Sequence, residues 1–218
     1  MICGVDEAGR GPVMGPMVVA GVAVESDVPL RQLNVRDSKK LSPERREALA
    51  PEIRKVSRYE ILIIPAADID AMREQMTLNE FEAKLFATVI ERLRPEVAYV
   101  DSADVDEFTF RKAIAVNLPF EIEIVSKHEA DDLFPVVSAA SILAKVTRDA
   151  EMRRIEAELG AKIGSGYPHD QETIQFLVKW LDEKGTLPPH TRASWDTAKR
   201  LLSAAATRKL EEFGGGKP

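Results

Sequence analysis

The sequence is short of cysteine and histidine, lacks any long apolar run, and carries no surplus of positive charge. Its single cysteine, Cys3, excludes an internal disulfide. The three histidines, His128, His169 and His190, fall in apparent loops, with no spacing that resembles a zinc site. His128-Glu129-Ala130-Asp131-Asp132 lacks the second histidine of H-E-x-x-H, so a zinc protease is not supported. No apolar stretch is long enough to span a bilayer, and the first residues enter a strand-like segment without a leader's basic and apolar regions. The chain is therefore expected to be soluble and cytoplasmic.

Thirty Lys and Arg stand against 36 Asp and Glu, giving a net charge of −6. That balance argues against gripping nucleic acid by bulk electrostatics, where affinity comes from neutralising phosphates. It leaves room for a local ion site, because bound divalent cations reverse the sign of an acidic cluster. Gly9-Arg10-Gly11 with Gly15 has the wrong spacing for a dinucleotide loop, Pro12 intervenes, and a strand rather than a helix follows.

What is present is a chain of 218 residues, 44% hydrophobic, long enough for a substantial core. Ile2 to Val5 and Met17 to Val24 read as strands, Cys3 being a small buried apolar residue of the first. Ser42-Pro43-Glu44 predicts a helix to about Val56, from an N-cap, a first-turn proline and an acid. Tyr59 to Ile64 reads as a buried strand ended by Pro65. Thr77-Leu78-Asn79-Glu80 has capping-box spacing and opens a helix with Phe81, Leu85, Phe86, Val89, Ile90 and Leu93 on one face. Val97 to Val100 and Glu121 to Val125 read as strands, and a long helix is predicted from Pro135 towards Leu159. Helices follow at about 170–183 and 194–213. The organisation expected is an α/β core over 1–160, a helical extension over 161–213, and a disordered tail over 214–218.

Acids occupy informative positions. Asp6 and Glu7 end the first strand just before the glycine-rich turn, and Ala98-Tyr99-Val100 leads a second strand into Asp101. Neighbouring side chains on a strand point to opposite faces, so two adjacent acids meet one site only where the strand ends or bends. Parallel strands deliver their C-terminal residues to one edge of an open sheet, where ligand sites form. A solvated turn accounts for Asp6-Glu7 as well as an ion site does. Asp131 and Asp132, ahead of a helix, fit the helix dipole without any function. If these acids gather, they suit hard divalent cations, which can assist phosphodiester hydrolysis without histidine. Asp37-Ser38-Lys39-Lys40 reads as a loop, and Ser138-Ala139-Ala140-Ser141 as close helix packing. Ser141 and Lys145 lack the oxyanion loop of a Ser/Lys hydrolase. Tyr167 in Gly164-Ser165-Gly166-Tyr167-Pro168 is placed either to anchor the extension or to stack on a base or sugar. Arg192 and Trp195 are read as packing and capping of the last helix.

Six segments in order resemble the ribonuclease HII family, its archaeal members above all. They are Gly4-Val5-Asp6-Glu7-Ala8-Gly9-Arg10-Gly11-Pro12 with Gly15-Pro16, Asp37-Ser38-Lys39-Lys40-Leu41, Tyr99-Val100-Asp101, Ala130-Asp131 with Pro135 and the run from Ser138 to Asp149, Gly164 to Pro168, and His190-Thr191-Arg192-Ala193-Ser194-Trp195. The resemblance implies a ribonuclease H-like mixed β-sheet flanked by helices with a helical C-terminal part. It implies endonucleolytic cleavage of the RNA strand of RNA/DNA hybrids and at ribonucleotides embedded in duplex DNA, with Mg²⁺ or Mn²⁺, leaving 5′-phosphate and 3′-hydroxyl ends. The catalytic, metal-binding quartet it implies is Asp6, Glu7, Asp101 and Asp131, the last chosen over Asp132 because the family's acid stands four residues before the proline. Gly9, Arg10, Gly11 and Tyr167 match the parts that recognise the ribonucleotide 2′-hydroxyl. Lys39, Lys40, Ser138, Ser141 and Lys145 match positions expected on the substrate backbone. Glu129 departs from the lysine of many archaeal relatives. The chain is expected to act as a monomer. Thr207, Leu210 and Phe213 loosely resemble a sliding-clamp-binding peptide, without its glutamine and second aromatic. The rivals are a DNA nuclease of resolvase or integrase type and a hybrid-binding module whose ion only stabilises the fold.

Overall fold

The computed structural model describes residues 1–35 and 41–214, with side chains through residue 208. Arg36 to Lys40, and with them the expected contacts of Lys39 and Lys40, lie outside the described residues. So do residues 215–218 of the tail and the side chains of Leu210 and Phe213.

Five strands form one mixed sheet in the order β3-β2-β1-β4-β5: β1 Ile2–Ala8, β2 Met17–Val24, β3 Arg58–Ile64, β4 Val97–Asp101 and β5 Glu123–Lys127. β1 is antiparallel to β2 and parallel to β4, and β4 is parallel to β5. The described helices are α1 Val28–Gln32, α2 Pro43–Val56, α3 Ala66–Arg73, α4 Leu78–Leu93, α5 Glu107–Ala115, α6 Ala130–Leu133, α7 Pro135–Leu159, α8 Gln171–Lys184 and α9 Asp196–Gly214.

Packing divides the chain into two compact units: residues 1–9, 17–63 and 75–149, and residues 10–16, 64–74 and 150–218. The boundary expected after residue 160 is one of sequence order, whereas packing assigns residues 10–16 and 64–74 to the same unit as the C-terminal helices.

The first unit contains the sheet with helices on both faces. Gly4 pairs with Val22 and Val5 with Gly21, so pleat alternation turns Gly4 and Gly21 to opposite faces. A Cβ on Gly4 would lie 2.2 Å from the Val136 carbonyl carbon, and one on Gly21 would lie 2.3 Å from Val89 Cγ1. Both glycines thus let a helix rest directly on the strand, α7 on one face and α4 on the other. The α7 face packs Val18, Ala20, Val22 and Val24 against Val137, Ala140, Ile142 and Leu143. On α4, the capping box of Thr77 and Glu80 is formed, and Phe81, Phe86, Val89, Ile90 and Leu93 are buried. Leu85 is only half-buried, and Glu82 is fully buried.

Three strand expectations change, one being that β5 spans Glu123–Lys127 rather than Glu121 to Val125. β3 is an edge strand, so Tyr59 and Ile63 are exposed rather than buried. β1 does not end at Asp6 but runs on to Ala8, and the turn comes at Gly9 with φ +83°.

The second unit packs Val13, Met14, Met152, Ile155, Ile163, Phe176, Leu177 and Ala198 into its own core. Short segments stitch it together. Val13 N–H and Met14 N–H donate to Gly166 O at 2.8 and 3.2 Å, Gly15 N–H to His190 O at 2.9 Å, and Arg192 N–H to Val13 O at 2.8 Å.

Candidate active site

The parallel ladder between β1 and β4 ends at Val5 opposite Val100, whereas β1 stays paired with β2 as far as Ala8. Asp6 and Asp101 each stand one residue past that last parallel pair. The Asp101 charge acts directly on Asp6, which places the two carboxylates close together at this end of the ladder. Asp6 is 5% exposed. Its burial, then the Asp101 charge, push its pKa up to about 7, while a hydrogen bond from Ser141, the Lys145 charge and the Glu7 backbone N–H pull the other way. That N–H donates to Asp6 Oδ1 at 2.7 Å.

Asp6 pairs with Ala20, which lies on the same sheet face as Gly4, so it points towards α7. α7 therefore supplies its partners, Ser141 and Lys145. Asp101 Oδ1 accepts the Ala130 N–H at 2.7 Å, which ties the single-turn α6 to the end of β4. The next residue, Asp131, is 2% exposed, whereas Asp132 points to solvent. Glu7, the next residue of β1, is half-buried.

Among the described residues no three His, Cys, Asp or Glu side chains form a ready-made cluster for an ion. What is gathered is the Asp6 and Asp101 pair, with Asp131 adjoining the residue that holds Asp101. The donor set still suits Mg²⁺ or Mn²⁺: such ions take hard oxygen ligands, and Mg²⁺ commonly needs only one or two carboxylates besides water and substrate phosphate. A buried acid raised to about 7 by a second acid is the electrostatic condition that a cation relieves.

The hydroxyls expected on the substrate backbone have internal partners. Ser138 and Ser141 are fully buried; Ser138 donates to Val35 O, and Ser141 bonds Asp6. Both hydroxyls thus help to build the wall of the site on the α7 side. Lys145 is half-buried near Asp6. Cys3, buried in β1, has its thiol pushed up to about 12 by burial, which leaves it inert.

In the second unit, Gly11 and Tyr167 come together: a Cβ on Gly11 would meet Tyr167 Cε1 at 3.6 Å, an ordinary contact. Asp170, the N-cap of α8, holds the tyrosine's loop by accepting Ser165 N–H at 2.7 Å and Ser165 Oγ–H at 2.6 Å. Sequence reasoning missed Arg192 as part of this construction. It is fully buried, and its guanidinium donates to Gly15 O at 3.0 and 3.1 Å and to Arg10 O at 2.8 Å. Arginine beside a tryptophan gave only a packing signal, since its partners lie about 180 residues earlier in the chain.

A mixed five-stranded sheet flanked by helices, with acids at the ends of its central parallel strands, defines an α/β protein of the ribonuclease H-like class. The chain belongs to the ribonuclease HII family, whose family model matches residues 3–198, and it is a ribonuclease H, a hydrolase. It is 51% identical to ribonuclease HII of Thermococcus kodakarensis, over 97% of this chain and 93% of that one. The ribonuclease H2 structure from Pyrococcus horikoshii matches with a TM-score of 0.88 at 38% identity, covering 94% of this chain and 98% of that one. Ribonuclease HII of Archaeoglobus fulgidus, solved as a complex with PCNA, matches at 0.85 and 43% identity, covering 92% and 96%.

Proposed function

We propose that the protein cuts the RNA strand of RNA/DNA hybrids, and DNA duplexes at embedded ribonucleotides, by phosphodiester hydrolysis that leaves 5′-phosphate and 3′-hydroxyl ends. The observation that carries this reading is the juxtaposition of Asp6 and Asp101 one residue past the last β1–β4 pair, with Asp6 raised by burial and by Asp101.

Asp6, Glu7, Asp101 and Asp131 would hold Mg²⁺ or Mn²⁺. When bound, such a cation neutralises charge on the scissile phosphate and acidifies the attacking water. Of the chain's own groups, Ser141 orients Asp6 through its hydrogen bond, and Ala130 N–H orients Asp101. Lys145 offsets local negative charge on the α7 side, where an incoming phosphate needs it. Net charge is a poor guide to such a site, since the acids meet the phosphate through cations while a few basic groups hold the flanking strands.

Gly9, Arg10, Gly11 and Tyr167 are assigned to the 2′-hydroxyl, the one group that tells RNA from DNA at a given sugar. Gly11 is exposed and has the Tyr167 ring beside it. Lys39 and Lys40 are assigned to the substrate backbone. A sliding clamp is assigned as partner through the C-terminal end near Thr207, Leu210 and Phe213; the complex of the Archaeoglobus fulgidus relative with PCNA supports it.

The test is digestion of an end-labelled duplex containing one ribonucleotide, beside an all-DNA duplex and a full hybrid, with the cut mapped and its ends identified. Cleavage at the ribonucleotide and in the hybrid, with 5′-phosphate products, is expected. Equal cutting of all-DNA duplex favours a DNA nuclease, and binding without product in Mg²⁺ or Mn²⁺ favours a non-enzymatic hybrid binder; either sinks the proposal.

A further inference from the structure

The loop assigned to reading the sugar is held by side chains from the far end of the chain. Arg192 is 0% exposed. Burying a guanidinium is costly unless its donors are satisfied, and here they converge on backbone carbonyls of one loop: two on Gly15 O and one on Arg10 O. Trp195 adds a third anchor, its Nε1–H donating to Gly11 O at 3.2 Å.

The anchors are themselves fixed. The Arg192 guanidinium carbon sits 4.9 Å from the Trp195 ring centre, and that of Arg73 on α3 sits 4.6 Å from it. Asp70, also on α3, accepts the backbone N–H groups of Ala193 and Ser194 at 2.7 and 3.1 Å and the Ser194 hydroxyl at 2.5 Å. The turn carrying Arg192 and Trp195 is thus bound to α3, and the loop is bound to that turn. All of these residues belong to the second unit.

Peptide planarity gives the arrangement a consequence. A trans peptide directs its N–H opposite to its C=O, so fixing the Arg10 carbonyl on Arg192 turns the Gly11 N–H away from that side chain. Gly11 lies on the exposed side of the loop, with Tyr167 beside it. We propose that Arg192 and Trp195, backed by Asp70, are positioning residues that set the direction of the Gly11 peptide against the ribonucleotide sugar. This rests on the assignment of Gly9, Arg10, Gly11 and Tyr167 to the 2′-hydroxyl. Arg192 acts by holding the Arg10 carbonyl, whose peptide partner, the Gly11 N–H, must meet a hydroxyl within hydrogen-bonding tolerance. Trp195 fixes the other side of Gly11 through its carbonyl, which belongs to the Gly11–Pro12 peptide and has no N–H of its own, so loss of either misaligns the reacting sugar without removing a phosphate contact.

Trp195→Phe is the milder probe, because it keeps an aromatic ring for Arg73 and Arg192 while removing the Nε1–H together with part of the indole. Arg192→Lys keeps the charge but not the fork that reaches two carbonyls. Both would be compared with Gly11→Ala and Tyr167→Ala. The measurements are kcat and KM on a one-ribonucleotide duplex and on a long RNA/DNA hybrid, with amide hydrogen exchange over residues 10–15 in the substrate-free protein. Trp195→Phe is expected to melt near wild type, to exchange faster over residues 10–15, and to lose about tenfold in kcat on the single ribonucleotide. KM should stay within about twofold and the loss on hybrid should be smaller. Arg192→Lys should do the same more strongly, and if it does not fold, Trp195→Phe decides. Unchanged exchange in Trp195→Phe, or equal losses on both substrates, overturns the inference. If Gly11→Ala and Tyr167→Ala lose selectivity while Trp195→Phe does not, the sugar-reading assignment stands and only the positioning role falls. If Gly11→Ala and Tyr167→Ala leave the ratio unchanged, that assignment fails and this inference with it.

Discussion

Asp6 on β1 and Asp101 on β4 occupy equivalent places beyond the last paired residues of two parallel strands, and the charge of Asp101 adds to burial in raising Asp6 to a pKa of about 7. Such a pair costs stability in the absence of a counter-ion. In the unfolded chain Asp6 ionises near its ordinary 3.8, whereas in the metal-free native state it holds its proton to about 7. The unfolded state therefore binds fewer protons between those values, and stability falls as pH rises through that window. Metal-free Asp6→Asn should match wild type near pH 4 and exceed it by about 2 to 4 kcal/mol near pH 8. Urea unfolding in chelator at the two pH values measures this; a constant difference would mean that Asp6 is not a strained acid.

Asp101→Asn keeps the oxygen that accepts the Ala130 N–H and removes only the charge. Cleavage should fall by several orders of magnitude, while the metal-free protein stays at least as stable as wild type. Mg²⁺ should raise the melting temperature of wild type more than that of the variant, because only binding to the native state shifts the equilibrium. Equal shifts would place the ion elsewhere, and a metal-free variant that unfolds would make Asp101 a structural acid.

Gly11→Ala should be tolerated by the fold, since the added methyl meets Tyr167 at 3.6 Å. Together with Tyr167→Ala it tests sugar reading. Each variant should bind the ion as wild type does and lose cleavage at a single embedded ribonucleotide. The loss should be smaller on long hybrids, where many alternative cut sites compensate for one poorly held sugar. Parallel digestion of the two substrates decides; equal losses, or none, would remove these residues from the reading site.

Much of this construction was legible in the sequence where the signal is local. The caps at Ser42 and at Thr77 with Glu80 mark helix starts that the structure forms, and the helix expected from about residue 170 starts where Asp170 caps it. α1 and α3 were not legible, because Asp27 and Pro65 make no side-chain cap bond and both helices are short. α5 has a cap at Asp106, but an exposed Phe108 blurs its apolar stripe. The acids could be read as strand-end residues, whereas the register that sets Val5 opposite Val100 arises from pairing across about 95 residues and leaves no local mark. The internal partners of Ser138 and Ser141 were not legible for a related reason: matching a family's segment does not say which carbonyl or carboxylate a buried hydroxyl meets, here Val35 O and Asp6.

Asp170 links stability to the reading loop. Hydrogen bonds from the Ser165 hydroxyl and backbone hold its pKa down to about 2, and its other oxygen caps α8 at Glu172 N–H. Thr173 completes the hold by donating to Ile163 O at 2.8 Å and accepting Gly166 N–H at 3.0 Å. The folded pKa lies below the ordinary 3.8, so the stabilisation is fully present above about pH 4 and is lost as pH falls towards about 2. Asp170→Ala should cost about 1 kcal/mol at neutral pH, as the loss of an N-cap usually does. The gap to wild type should narrow steadily below pH 4. Because Tyr167 sits in the same loop, the variant should also lose more activity on the one-ribonucleotide duplex than on the hybrid. Urea titrations at pH 7 and pH 3, run beside the two-substrate assay, test both halves. A gap that does not shrink at low pH would show that the carboxylate charge contributes nothing, and an unchanged substrate ratio would show that the loop keeps Tyr167 in place without it.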